Sequence, residues 1–71
     1  MKTKEAIEFG KNLRQLRLER GFTQEKLGDL SGLHRNYISS IERGERNIGL
    51  VSMLKLATAL RIHPSQFFDY I

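Results

Sequence analysis

An all-α fold, a compact five-helix bundle, follows from three features of the sequence. Apolar residues recur at three- and four-residue spacing in successive segments, the period of a helix face. No stretch alternates between apolar and polar residues as a half-buried strand would. Gly21, Gly32 and Gly44 punctuate the segments, and the sole proline, Pro64, stands before the last one. The 71 residues suffice for a single domain, 1–71, with a thin core.

The first helix spans Glu5 to Arg20. Phe9, Leu13 and Leu16 share one face, which Ile7 and Ala6 extend, and Lys11, Arg14, Gln15 and Glu19 cover the other. Gly21 supplies the left-handed residue after its end, and Arg17 and Arg20 suit the negative end of the helix dipole. Thr23 is a good N-cap for a second helix, Gln24 to about Ser31, and Phe22 can staple back onto Leu27 or Leu30. Leu27, Leu30 and Leu33 face one way, and Gly32 makes the turn. His34 caps a third helix, Arg35 to Arg43, although serine or aspartate would cap better. Ile38 and Ile41 form its inward edge, and Gly44 closes it.

Glu45 to Gly49 reads as a polar loop anchored by Ile48. In the fourth helix, Leu50 to Leu60, the expected core face is Leu50, Met53, Leu54, Ala57 and Leu60, with Leu56 beside it and Lys55 and Thr58 outside. Pro64 suits the first position of a short fifth helix, His63 to about Tyr70.

Composition removes several classes of function. The chain has no cysteine, hence no disulfide and no thiolate metal site. His34 and His63 lie far apart and serve as caps, and no nucleophile–base pair, metal-ligand cluster or phosphate-cradling glycine loop is present. The expectation is therefore no enzyme, no cofactor and no metal. No apolar run has the length of a bilayer span, and MKTKEAIEFG is too charged for a signal peptide. A cytoplasmic protein follows, with neither a membrane nor a small-molecule partner. The net charge of +4 is compatible with a polyanion but would suit a plain solvated surface equally. Around the third helix the cations are Arg35, Arg43 and Arg46, with no lysine, and arginine is the better bidentate reader of phosphate and guanine.

The most constrained stretch is Gln24 to Arg43, QEKLGDLSGLHRNYISSIER. Counted from Gln24 it is apolar at place 4, small at 5, glycine at 9, and apolar at 10, 15 and 18. Gly28 keeps side chains out of the space where two helices would meet. This spacing resembles the DNA-binding helix-turn-helix. From about Phe9 to Phe68 the chain resembles the small phage-repressor-like regulators of the Xre/Cro type, through LRQLRLERG, FTQEKLG, YISSIERGERN and LKLATAL. Within that family, HRNYISSIERGERN and the overall length resemble the controller proteins of restriction–modification systems.

The resemblance implies a transcription regulator that binds a near-palindromic operator in double-stranded DNA as a homodimer. It further implies two dimers binding cooperatively at adjacent sites, control of its own gene and an endonuclease gene, and contact with RNA polymerase. A phage-type repressor or an antitoxin would use the same fold and residues. A protein-interaction module of borrowed shape would show no DNA affinity, and RNA binding lacks an aromatic stacking surface.

Candidate roles follow the helical spacing and the motif. Arg35, Asn36, Ser39 and Ser40 are the expected base contacts, with arginine suited to guanine and asparagine to adenine. The bland alternative for Arg35 and Asn36 is a solvated first turn. Thr23 and Gln24 would take a phosphate at the second helix's N-terminus, and Tyr37 would reach another through its hydroxyl. Arg43, Arg46 and Asn47 look like the family's backbone-contacting loop, with a solvated charged loop as the competing reading. Arg17 and Glu42 match the family's internal ion pair. The aromatic tail is too apolar to be hidden whole in so small a core, so Phe67, Phe68, Tyr70 and Ile71, with Leu50, Met53 and Leu56, are the expected dimer interface in a region of about 50–71, with a cap on the core of the same chain as the competing reading.

Overall fold

Thr3 starts the first helix slightly earlier than the periodicity indicates, because its Oγ1 accepts the Ala6 N–H at 3.0 Å. The computed structural model describes residues 2–69. Within them lie α1 (Lys4–Glu19), α2 (Gln24–Ser31), α3 (Arg35–Glu42), α4 (Leu50–Leu60) and a 3-10 helix, Pro64–Phe68. No strand occurs among the described residues. The expected fifth α-helix is thus a 3-10 turn, and Tyr70 and Ile71 lie outside the described residues. No helix among those described is long and apolar enough to cross a membrane.

Helix α1 ends in a paired cap: the Gly21 N–H donates to Leu18 O at 2.9 Å and the Phe22 N–H to Arg17 O at 3.1 Å. The same pair of bonds ends α3, from Gly44 to Ile41 O at 2.9 Å and from Glu45 to Ser40 O at 3.0 Å. Between α2 and α3 the chain turns at Gly32, which sits at φ 77°, where a side chain would be strained. Both histidines cap through Nδ1: His34 accepts the Asn36 N–H at 3.0 Å, and His63 accepts the Ser65 N–H at 3.1 Å. Gln66 Oε1 returns to the His63 N–H at 3.3 Å, completing a capping box for the 3-10 helix.

Helix α1 packs on α3 and on the 3-10 helix, while α2 packs on both α3 and α4. The core at their junction is Phe9, Leu13, Leu27, Ile38, Ile41, Leu56, Ala57, Leu60 and Phe67. Each fully buried side chain of this size contributes about 1.5–3 kcal/mol. The α1–α3 approach is set by Gly10, where a Cβ would run into the carbonyls of Ile41 and Glu42. That close contact has no periodic signature, so the helical spacing alone does not reveal it. Asn12 Nδ2 donates to Gln66 O at 2.8 Å, tying α1 to the 3-10 helix.

Several expected faces are rotated. Leu27 is buried but Leu30 is exposed, because the eight-residue α2 buries only the stripe Leu27, Gly28 and Ser31. In α4 the buried residues are Leu56, Ala57 and Leu60, whereas Leu50 and Leu54 face solvent. Apolar residues surround most of α4, so its own period cannot choose the phase; packing against α2 and the 3-10 helix does. Leu56 and Phe67, expected at a dimer interface, are both 0% exposed and belong to the core. Phe67 is held there by the Phe9 ring, 5.1 Å away between centroids.

Helix α4 closes without a glycine. Arg61 takes φ 55°, and the Ile62 N–H reaches Ala57 O at 3.0 Å. A left-handed residue with a Cβ costs about 1–2 kcal/mol. Arg61→Gly should therefore raise the urea midpoint, with a gain of about 0.5–1 kcal/mol and an unchanged slope. The hydrogen bond from Arg20 Nη2 to Arg61 O, 3.0 Å, uses the backbone and survives the substitution. A lowered midpoint would contradict this account of the cap.

Candidate nucleic-acid interface

The two inward isoleucines of α3, Ile38 and Ile41, fix which side of the helix faces out. Arg35 and Asn36, the first two residues of α3, are exposed. Ser39 is half-buried and accepts a hydrogen bond from the Arg43 guanidinium. Ser40 departs from expectation: it is 8% exposed, and its hydroxyl donates to Tyr37 O at 2.7 Å. It forms the floor of the surface, because its hydroxyl is satisfied by its own helix. Asn36, Tyr37, Ser40, Arg43 and Arg46 line one open concavity together with His34 and Glu45.

Tyr37 is half-buried against the core, and the Arg46 guanidinium lies 5.4 Å from its ring centroid. Asn47 is exposed and lines a second cleft with Glu5, Phe9, Ile48, Met53 and Phe68, which Arg46 borders as well, so Arg46 stands between the two. Thr23 is exposed, and its Oγ1 accepts the Lys26 N–H at 2.9 Å, leaving the backbone N–H groups of Gln24 and Glu25 at the start of α2. The Gln24 side chain is not free as expected: Nε2 donates to Glu42 Oε1 at 3.0 Å.

That bond joins Gln24 to the ion pair beneath the surface. Arg17 Nε donates to Glu42 Oε2 at 2.7 Å and Nη2 to Oε1 at 3.0 Å, while Nη1 donates to Phe22 O at 2.7 Å. The two side chains are only 8% and 4% exposed. One cluster therefore links α1, the α1–α2 connection, α2 and α3. The hydrogen bond to Glu42 raises the Arg17 pKa above the ordinary arginine value, outweighing the opposite pull of burial.

Two carboxylates on this basic surface escape sequence reasoning. Glu25 Oε2 accepts from Arg35 Nη1 at 2.7 Å. Glu45 accepts from Arg43 Nε and Nη2, both at 3.0 Å. Ten residues separate Glu25 from Arg35, so only the fold brings them together. Adjacency to Arg43 was the sole available signal for Glu45.

The Arg43 hydrogen bond holds the Glu45 carboxyl below the ordinary carboxylate range, aided by the charges of Arg43 and Lys2 and opposed by desolvation. A lowered folded-state pKa favours the fold above the unfolded value, and that contribution is lost as pH falls through the folded value. Screening keeps it small at this exposed site. An NMR titration should place the Glu45 midpoint below that of an exposed glutamate, and Arg43→Ala should return it to normal. An unchanged midpoint in the variant would contradict the assignment.

The helix-turn-helix family matches residues 13–67 of this chain. Control protein C.BamHI of Bacillus amyloliquefaciens is 44% identical over 63 residues, covering 87% of this chain and 78% of that protein. The restriction–modification controller protein C.AhdI from Aeromonas hydrophila has a structure similar at TM-score 0.91 and 50% identity, covering 93% of this chain and 100% of that one. The controller protein C.Esp1396I, solved as a tetramer in complex with its natural 35 base-pair operator, is similar at TM-score 0.86 and 34% identity, covering 96% of this chain and 90% of that one. By the match across its helices and these identities, the chain belongs to the helix-turn-helix family, in the group of restriction–modification controller proteins.

Proposed function

We propose that this protein is a DNA-binding transcription regulator, not an enzyme, which reads a near-palindromic operator as a homodimer through α3. The observation that carries this reading is the arrangement of α3 itself. Its N-terminal end exposes Arg35 and Asn36, its opposite side is buried through Ile38 and Ile41, and Arg43 and Arg46 flank it. A major groove admits such a helix; Arg35 can donate to guanine O6 and N7, and Asn36 can donate from Nδ2 to adenine N7 while its Oδ1 accepts from N6–H. Ser39 stands one turn further on as a weaker reader. The backbone N–H groups at Gln24 and Glu25, with Arg43, Arg46, Asn47 and the Tyr37 hydroxyl, take the phosphates. The tetramer of C.Esp1396I on its natural 35 base-pair operator supports operator binding by an assembly of this fold, which for this chain would be two dimers on adjacent sites. The reading extends to control of its own gene and a restriction endonuclease gene, with RNA polymerase as a partner.

The dimer surface is the apolar side of α4 that the core leaves uncovered. Leu50 is 69% exposed, and Val51 and Leu54 of the same helix are exposed; Leu30 lines a cleft with Val51 and Leu54, and Phe68 lines another with the half-buried Met53. The occupant is a second copy of the chain, as expected for a two-fold operator reader whose recognition helices stand about 34 Å apart. Leu50→Asp tests this cleanly, since a carboxylate at the first position of α4 suits the helix dipole and leaves the core untouched. Sedimentation at tens of micromolar should show a dimer for the wild type and a monomer for the variant. Operator binding should weaken with it, and wild-type affinity should fall steeply with salt. An unchanged sedimentation profile would remove α4 from the interface.

A further inference from the structure

The bond between Glu25 and Arg35 joins the second residue of α2 to the first residue of α3, where DNA would dock. Both side chains are well exposed, 66% and 60%, so the pair contributes little to stability. A carboxylate there also repels phosphate, which makes its presence on a DNA-facing surface costly unless it serves recognition. Glu25 occupies one donor of the guanidinium, Nη1; Nε and Nη2 have no hydrogen-bond partner among the described residues. An arginine held at one edge still presents donors to guanine O6 and N7.

We propose that Glu25 is a positioning residue for sequence recognition: it fixes the Arg35 guanidinium towards a guanine and denies it to phosphates. The inference rests on the reading of α3 as the base-contacting helix. With Glu25 attached, Arg35 loses little rotamer freedom on meeting its guanine, because the side chain is already ordered. The pair presents no net charge, so DNA without that guanine gains little from Arg35. Without Glu25, the free guanidinium reaches the nearest phosphate on any sequence, and mismatched DNA binds better.

The test compares the selected operator with a duplex in which the guanine read by Arg35 is replaced. Glu25→Gln should lower the ratio of the two affinities about three- to ten-fold, chiefly by tightening the mismatched complex. Its salt dependence on the mismatched duplex should steepen by about one phosphate contact. The melting temperature should hardly move, which separates positioning from a structural role. Asp29→Asn removes the same charge one turn along α2, where no ion pair is formed among the described residues, and should leave the ratio unchanged. In an Arg35→Ala background, Glu25→Gln should also leave it unchanged.

Equal tightening of both duplexes by Glu25→Gln and Asp29→Asn would overturn the proposal in favour of a plain charge effect. Persistence of the effect without Arg35 would overturn it as well. Absence of any preferred sequence in the wild type would instead remove the underlying reading of α3.

Discussion

Glu42→Gln is expected to destabilise the protein by about 3–5 kcal/mol. The substitution keeps the shape of the side chain but leaves Arg17 as an almost buried cation without a counter-ion. It also replaces the acceptor that two Arg17 donors and the Gln24 amide share. A chain of this length has a total stability of only about 4–10 kcal/mol. The melting temperature should therefore drop by roughly 12 °C or more, and the folded population at 37 °C should be visibly depleted. Replacing both partners, Arg17→Met with Glu42→Leu, should recover much of the loss, because no buried charge is then stranded. The raised Arg17 pKa means that its share of stability is complete below the ordinary arginine value. That share is lost only as pH rises through the raised value, so neutral buffers should not modulate it. A Glu42→Gln melt that overlays the wild type would refute this role.

Arg35→Ala should act on DNA binding and hardly at all on folding, since the side chain is mostly exposed. The expected loss is about 1–3 kcal/mol per half-site, confined to one base pair in each. Preference at that pair should relax while the rest of the operator stays selected. Arg46→Ala makes the contrast: as a phosphate contact it should weaken all sequences about equally and reduce the salt slope by about 1. If Arg35→Ala weakened every sequence alike, Arg35 would be a backbone contact and another residue would carry specificity.

Much of this organisation is legible in the sequence because local physics and the global fold agree. Thr23, Gly32 and His34 mark the limits of α2 and α3 through capping and turn chemistry that belong to single residues. Ile38 and Ile41 give the orientation of α3 because the rest of that helix is polar. The same reasoning fails for α4, where Leu50, Val51, Leu54 and Leu56 all compete for burial and only tertiary packing decides. Ser40 fails differently: helical spacing places it near the outward face, yet its short hydroxyl returns to Tyr37 O. The pairing of Glu25 with Arg35 and the close approach at Gly10 are long-range contacts, and no local pattern encodes them. Arg61 shows the converse, a left-handed cap formed where glycine is missing.

Whether α3 reads a defined DNA sequence is decided by selecting and sequencing random duplexes bound by the purified protein at two salt concentrations. The expected outcome is a near-palindromic site with half-sites about one helical turn apart, a guanine in each half that Arg35→Ala no longer selects, and binding that weakens steeply with salt. Weak binding at both salts with no enriched sequence would contradict it, leaving the helix-turn-helix as a scaffold for a protein partner.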